Sequence, residues 1–169
     1  MKIGVIGYGY IGRSVVERIE NSAGRFELAF VYIRDNSKLD ALDSLLHLED
    51  LTDAAAREAD LIVECAHPEI TVKFGASFLE RSNYMPLSVT ALADDALRIQ
   101  LEKTSNEYGT KLFMPAGALL GGNGLVIKQG RFERVRITFR KHPDNIDFSD
   151  VDFVADQIKD KTVIYEGSV

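Results

Sequence analysis

The stretch KIGVIGYGYIGRSVVERI (residues 2–19) limits the architecture of this chain more than any other. An apolar run of strand length reaches Gly7, and a helical pattern carrying Val15, Val16 and Ile19 starts a few residues later. Between them Gly7, Gly9 and Gly12 spell G-x-G-x-x-G. In that setting the first glycine permits a tight turn, the second lets backbone approach a pyrophosphate, and the third lets the helix pack closely on the sheet. The helix N-terminus then aims its N–H groups and dipole at the phosphates. A dinucleotide is the expected ligand, with a mononucleotide or S-adenosylmethionine as alternatives.

The remainder of the first two thirds repeats the alternation. Strand-length apolar runs occur at FELAFVYI (26–33), ADLIVECA (59–66), NYMPLSV (83–89) and KLFMPA (111–116). Helical patterns occupy 11–21, 38–47, 69–81 and 94–108. Near-continuous apolar strands separated by helices predict a parallel sheet covered on both faces. Pro68 suits the first turn of a helix. Asp94 and Asp95 suit the start of the next, and Gly109 its C-terminal cap. The fold class is therefore α/β, a doubly wound parallel Rossmann sheet over residues 1–116. After Ala116 the texture changes: a glycine-rich apolar helix over 117–130 is followed by alternating strands in RFERVRITFRK (131–141) and KTVIYEGSV (161–169). Residues 117–169 read as the beginning of a smaller α+β second domain.

In a dinucleotide fold the residue that meets the adenosine ribose lies about 20 positions past the last glycine, at the tip of the second strand. Ile33, Arg34 and Asp35 stand 21, 22 and 23 residues beyond Gly12. A carboxylate there binds the 2′-hydroxyl and repels a 2′-phosphate, whereas arginine attracts the phosphate. Ile33 does neither, so Arg34 and Asp35 are the candidates. The balance leans to NADP over NAD, with Arg34 stacked on adenine or facing water as the plainer alternative. VECAHPE (63–69) follows the third strand and opens toward the nicotinamide side of the crevice. Cys65 there reads as a small buried residue, since no base accompanies it. His67 is either an acid–base group near a reacting amine or a packed loop histidine. His47, in a charged helical segment, and His142 are read as surface residues.

Composition excludes other classes. With 169 residues, 46% of them hydrophobic and 27% charged, the chain has a globular make-up with room for one domain and part of another. A net charge of −6 disfavours nucleic acid, whose phosphates demand clustered Lys and Arg. No apolar run approaches the roughly 20 residues that cross a bilayer, so no membrane partner is expected. The single cysteine fits a reducing compartment. MKIGVIG passes from Met directly into a strand pattern, as a cytoplasmic protein begins. The acidic segment HPDNIDFSDVDFVAD (142–156) lacks the spacing and glycine of a calcium loop, so it reads as solvated and no metal is expected.

Five segments in order, GVIGYGYIGRS, VECAHPE, VTALADD, PAGALLGG and KTVIYEGSV, resemble the L-aspartate dehydrogenase family along the whole chain. The first is generic to dinucleotide-binding proteins; AHPE, PAGALLGG and TVIYEGSV are more particular. The resemblance implies oxidation of L-aspartate to iminoaspartate with NAD or NADP, which feeds NAD synthesis or decays to oxaloacetate and ammonia. It also implies a homodimer. By the same resemblance Gly7, Gly9, Tyr10, Ile11, Gly12, Cys65, Ala66, His67 and Ala118 line the cofactor cleft. Ser88, Thr90, Ala91 and Gly117 border the substrate. Some members carry a ribose-binding Asp where Ile33 stands, and the family's catalytic His lies beyond Val169. The competing readings are a non-catalytic NAD(P)-binding protein or fragment and a homoserine or dihydrodipicolinate type of reductase.

Overall fold

A computed structural model describes residues 1–35, 39, 42–116, 133–134, 136–146, 148 and 158–167. Five strands pair in parallel in the order β3-β2-β1-β4-β5. They are β1 (Lys2–Ile6), β2 (Glu27–Tyr32), β3 (His47–Leu48), β4 (Leu61–Glu64) and β5 (Asn83–Pro86). Because side chains alternate along a strand, the sheet presents two apolar faces. Ile6, Phe30, Ile62 and Tyr84 share one cluster with Phe78, Leu79 and Leu101. Ile3, Val5, Val31, Leu61 and Val63 share the other with Val16 and Ile19.

Three helices cover these faces. Helix α1 (Tyr10–Glu20) buries Gly12, Val16 and Ile19, the one-sided spacing that its sequence shows. Helix α2 (Pro68–Leu79) starts with Pro at its first turn and buries Phe78 and Leu79. Helix α3 (Asp95–Tyr108) is capped by Asp94, whose side chain accepts from the N–H groups of Ala96 and Leu97, and ends at Gly109 with φ 70°. A buried hydroxyl pair, Thr71 Oγ1 and Tyr84 OH at 2.8 Å, joins α2 to β5. Burial pushes the Tyr84 phenol well above its usual range despite that bond.

From β1 the chain winds outward to β2 and β3, then returns to lay β4 and β5 on the other side of β1. The reversal leaves a crevice beyond the carboxyl ends of the strands, the position where such sheets bind ligands.

Three expectations are corrected. The helix anticipated over 38–47 is absent from its described part. Asp43 caps one short turn, Ser44–Leu46, and His47 and Leu48 then pair with Val31 and Tyr32 as the edge strand. Arg57 fastens this segment, donating to the Leu45 and His47 carbonyls at 2.6 Å each. Leucine spacing alone suited a helix, but the open edge of β2 supplied hydrogen-bond partners. His47 is accordingly half-buried in a strand rather than on a helix surface, and its Nε2 is buried with no hydrogen-bond partner. Residues 111–116 make only one bridge, Leu112 with Tyr84, before Pro115 ends any ladder. In RFERVRITFRK and KTVIYEGSV the described residues form no strand; alternation defines a strand only where a neighbour accepts its hydrogen bonds. His142 is exposed as expected, capping the short turn Pro143–Asn145.

By backbone proximity the chain divides into two compact units, Met1–Gly124 and Leu125–Val169. The boundary expected between 116 and 117 and the helix over 117–130 fall at or beyond the edge of the described residues.

Stability should separate two glycines of the motif. A Cβ on Gly12 would overlap the Gly7 carbonyl oxygen, whereas one on Gly9 would meet nothing within 4 Å. Gly12→Ala should lower the unfolding free energy by about 1–3 kcal/mol, as overpacking does. Gly9→Ala should lower it by less than about 1 kcal/mol, the scale of a weakened helix cap. Urea unfolding of the two variants checks both.

Candidate dinucleotide-binding site

Candidate segments follow β1, β2, β4 and β5 at the same end of the sheet. After β1, Gly7 takes φ +94°, a conformation that L side chains rarely adopt. Its N–H donates to the Tyr32 carbonyl at 2.8 Å. A Cβ there would press on the Cys65 carbonyl at 2.9 Å, so the turns after β1 and β4 touch through backbone.

Gly9 stands differently. It precedes α1 with φ −77°, is exposed, and faces open space where a Cβ would be. Folding leaves open space where a side chain at Gly9 would sit, the room that the second glycine of such a motif gives a pyrophosphate. No side chain caps α1, leaving the first-turn N–H groups for an anion. Tyr10 and Ile11 are exposed on that turn. Arg13 leans over the loop, its Nε donating to the Tyr8 carbonyl at 3.3 Å and its guanidinium 5.4 Å from the Tyr8 ring centroid. This cation escaped the motif reading; its signal was a basic residue directly after the third glycine at a helix start.

At the tip of β2, Ile33 is half-buried and packs in the α1-side cluster. Of the three tip residues, only Arg34 and Asp35 are exposed.

At the other end of the crevice, Cys65 is half-buried and its N–H donates to the Ile6 carbonyl at 2.7 Å. Ala66 and His67 are exposed. His67 caps α2, with Nδ1 accepting from the Glu69 N–H at 3.3 Å. In the neutral ring that bond places the proton on Nε2. Ser88 is half-buried, Thr90 exposed and Ala91 buried. Gly117 and Ala118 lie outside the described residues.

Glu64 also escaped the sequence reading. It ends β4 fully buried, and Oε1 accepts from the Ala66 and His67 N–H groups at 2.5 and 2.7 Å. The Ser88 hydroxyl donates to Oε1 at 3.1 Å, and the Ser88 N–H to Oε2 at 3.2 Å. A carboxylate closing an otherwise apolar strand was its only signal.

Among the described residues, no group of three His, Cys, Asp or Glu side chains is placed to hold a metal. No helix among them is long and apolar enough to cross a membrane.

Comparison with known proteins places this geometry. The sequence profile described as homoserine dehydrogenase, NAD binding domain, matches residues 7–115. A Xenopus tropicalis protein named aspartate dehydrogenase domain-containing protein is 39% identical over 176 residues, covering 100% of this chain and 62% of the relative. The L-aspartate dehydrogenase of Methanococcoides burtonii is 31% identical, over 99% of this chain and 65% of its own length. The crystal structure of aspartate dehydrogenase from Thermotoga maritima superposes with a TM-score of 0.59 at 27% identity, covering 74% of this chain and 49% of that one. The chain thus spans somewhat under two thirds of the length of the relatives that it matches.

Burial, with the Glu64 charge adding to it, pushes the Cys65 thiol up to about 12. Only thiolate attacks alkylating agents. At pH 8 Cys65 should therefore react with iodoacetamide on the order of a thousandfold more slowly than a free thiol. The rate should climb with pH toward that value, and unfolding in urea should abolish the protection. Timed labelling followed by mass measurement checks this.

Proposed function

The chain belongs to the family of homoserine dehydrogenase NAD-binding domains, and we propose that it is the cofactor-binding part of an NAD(P)-dependent L-aspartate dehydrogenase. The observation that carries the cofactor assignment is Gly9, open to solvent over an uncapped helix start where the fold itself would accept a side chain. The substrate follows from the likeness to proteins named aspartate dehydrogenase along the whole chain.

In this reading Gly7, Gly9 and Gly12, with the exposed turn of Tyr10 and Ile11, hold the pyrophosphate against the N-terminus of α1. Arg13 offsets its charge. Cys65, Ala66 and His67, with Ala118, border the nicotinamide side; Ser88, Thr90, Ala91 and Gly117 border aspartate. When bound, NAD(P) would supply a hydride acceptor at the α-carbon, so that aspartate, giving up that hydride and an amine proton, would become iminoaspartate. Water then releases oxaloacetate and ammonia. The chain's part is to orient the dinucleotide and exclude water at the reacting carbon. By family resemblance the base that takes the amine proton lies in the further length of the relatives; His67, with Nδ1 engaged in its cap, is the weaker candidate. The same reading carries a division at residues 116 and 117, a homodimer, a cytoplasmic location and a role in NAD synthesis.

The test is reduction of NADP or NAD by the purified protein with L-aspartate, with L-homoserine beside it. Aspartate-dependent reduction without homoserine turnover is expected. Homoserine turnover would replace the substrate assignment. A second reading is a non-catalytic dinucleotide-binding protein, which the open start of α1 at Gly9 supports equally; binding without turnover on either substrate would favour it.

Arg34 is assigned to the 2′-phosphate, which favours NADP over NAD. Arg34→Ala should lose about 1.5–3 kcal/mol of NADP binding, the range for a charge-assisted hydrogen bond, and leave NAD binding unchanged. Calorimetric titration with both cofactors reads this directly; equal losses would remove Arg34 from that role.

A further inference from the structure

We infer that Glu64 is the positioning residue for the nicotinamide half of the cofactor, a role that rests on reading the crevice as a dinucleotide site. The β4–β5 ladder ends at the pair Glu64 and Pro86, with a last backbone bond from the Leu87 N–H to the Glu64 carbonyl at 2.8 Å. Beyond that point the chain turns away from the sheet on both strands. The Glu64 side chain continues the connection. Its carboxylate gathers the N–H groups of Ala66 and His67 from one turn and the N–H and hydroxyl of Ser88 from the other.

The chemistry of this clasp is unusual for a strand residue. A buried carboxylate is expensive unless several donors satisfy it. All four partners of Glu64 are neutral donors, and no described ion pair includes it. Three of those donors are backbone N–H groups of turns that open on the crevice. An apolar side chain would serve packing in the core equally well, since Ile62 and Tyr84 beside it are apolar or hydroxyl-bearing residues in one cluster. What an apolar side chain would not do is fix the backbone at residues 66, 67 and 88 with respect to the sheet. The glycine loop needs no such help, because the backbone contacts of Gly7 and Gly12 set it. Glu64 therefore acts directly on the β4–β5 end of the crevice and reaches the glycine loop only through the close approach of Gly7 to the turn at Cys65 and Ala66.

That asymmetry makes the role testable by binding alone. Glu64→Gln retains the shape but turns one acceptor oxygen into an N–H donor facing donors. Ser88→Ala removes only the hydroxyl bond. Titrating both variants with NADP, NAD and ADP separates the two halves of the cofactor, since ADP carries only the adenosine and pyrophosphate. Glu64→Gln should weaken NADP and NAD by about tenfold while ADP changes by less than about twofold, the size expected from loss of hydrogen bonds to a charged group at one end. Ser88→Ala should show the same pattern at about threefold. Equal weakening of all three ligands, or none, would overturn the role of Glu64 while the dinucleotide reading stood. If the unmodified chain bound neither NADP, NAD nor ADP, the dinucleotide reading would fail and the role with it. A thermal melt shows whether Glu64→Gln folds; if it does not, Ser88→Ala decides, and unchanged NADP affinity in that variant would overturn the proposal.

Discussion

Helix α1 lies so close to the turn after β1 that no side chain fits between Gly12 and the carbonyl oxygen of Gly7. The rest of the first unit depends on that approach. It seats Val16 and Ile19 on Ile3, Val5 and Val31, which covers one face of the sheet. It holds Gly7 against the backbone of Cys65, which brings the turn after β4 under the glycine loop. It also leaves the start of α1 uncapped and facing the crevice at the switch point of the strand order. Packing and ligand site are thus products of one steric condition, satisfied by the absence of two methyl-sized groups.

The two ends of the crevice are held by different physics. Near β1, backbone contact and a left-handed φ at Gly7 are enough, because rigid main chain needs no polar side chain to place it. Near β4 and β5 the ladder has ended, and N–H groups that leave a sheet must find other acceptors. A single buried carboxylate provides them. The same charge adds to burial in holding the Cys65 thiol protonated, which keeps a half-buried cysteine chemically quiet beside the proposed nicotinamide position.

Much of this was legible in advance, and the exceptions share a cause. The strands at 2–6, 27–32, 61–64 and 83–86 are apolar on both faces, and continuous hydrophobicity of strand length is a strong local signal. Pro68, Asp94 and Gly109 marked helix ends because caps satisfy backbone groups within a few residues. His47 misled because its segment has leucines at helical spacing, while the edge of β2 that captured it belongs to residues 31 and 32. Ile33 was visible as a departure at the ribose position, yet its turn into the α1-side cluster depends on neighbours far along the chain. Glu64 looked like one charged residue among many, since its partner Ser88 lies 24 positions away.

The sequence by itself determined the dinucleotide motif, the four strands at 2–6, 27–32, 61–64 and 83–86 with the helices α1, α2 and α3, and the family, because each rests on residues within about one turn or one strand of each other or on likeness across the chain. Only the tertiary structure decided which of Ile33, Arg34 and Asp35 face solvent, that His47 belongs to the sheet, and that Glu64 joins two turns. Those outcomes depend on backbone donors and apolar surfaces brought together from distant positions. A buried charge in particular has no meaning until the groups that satisfy it are in place.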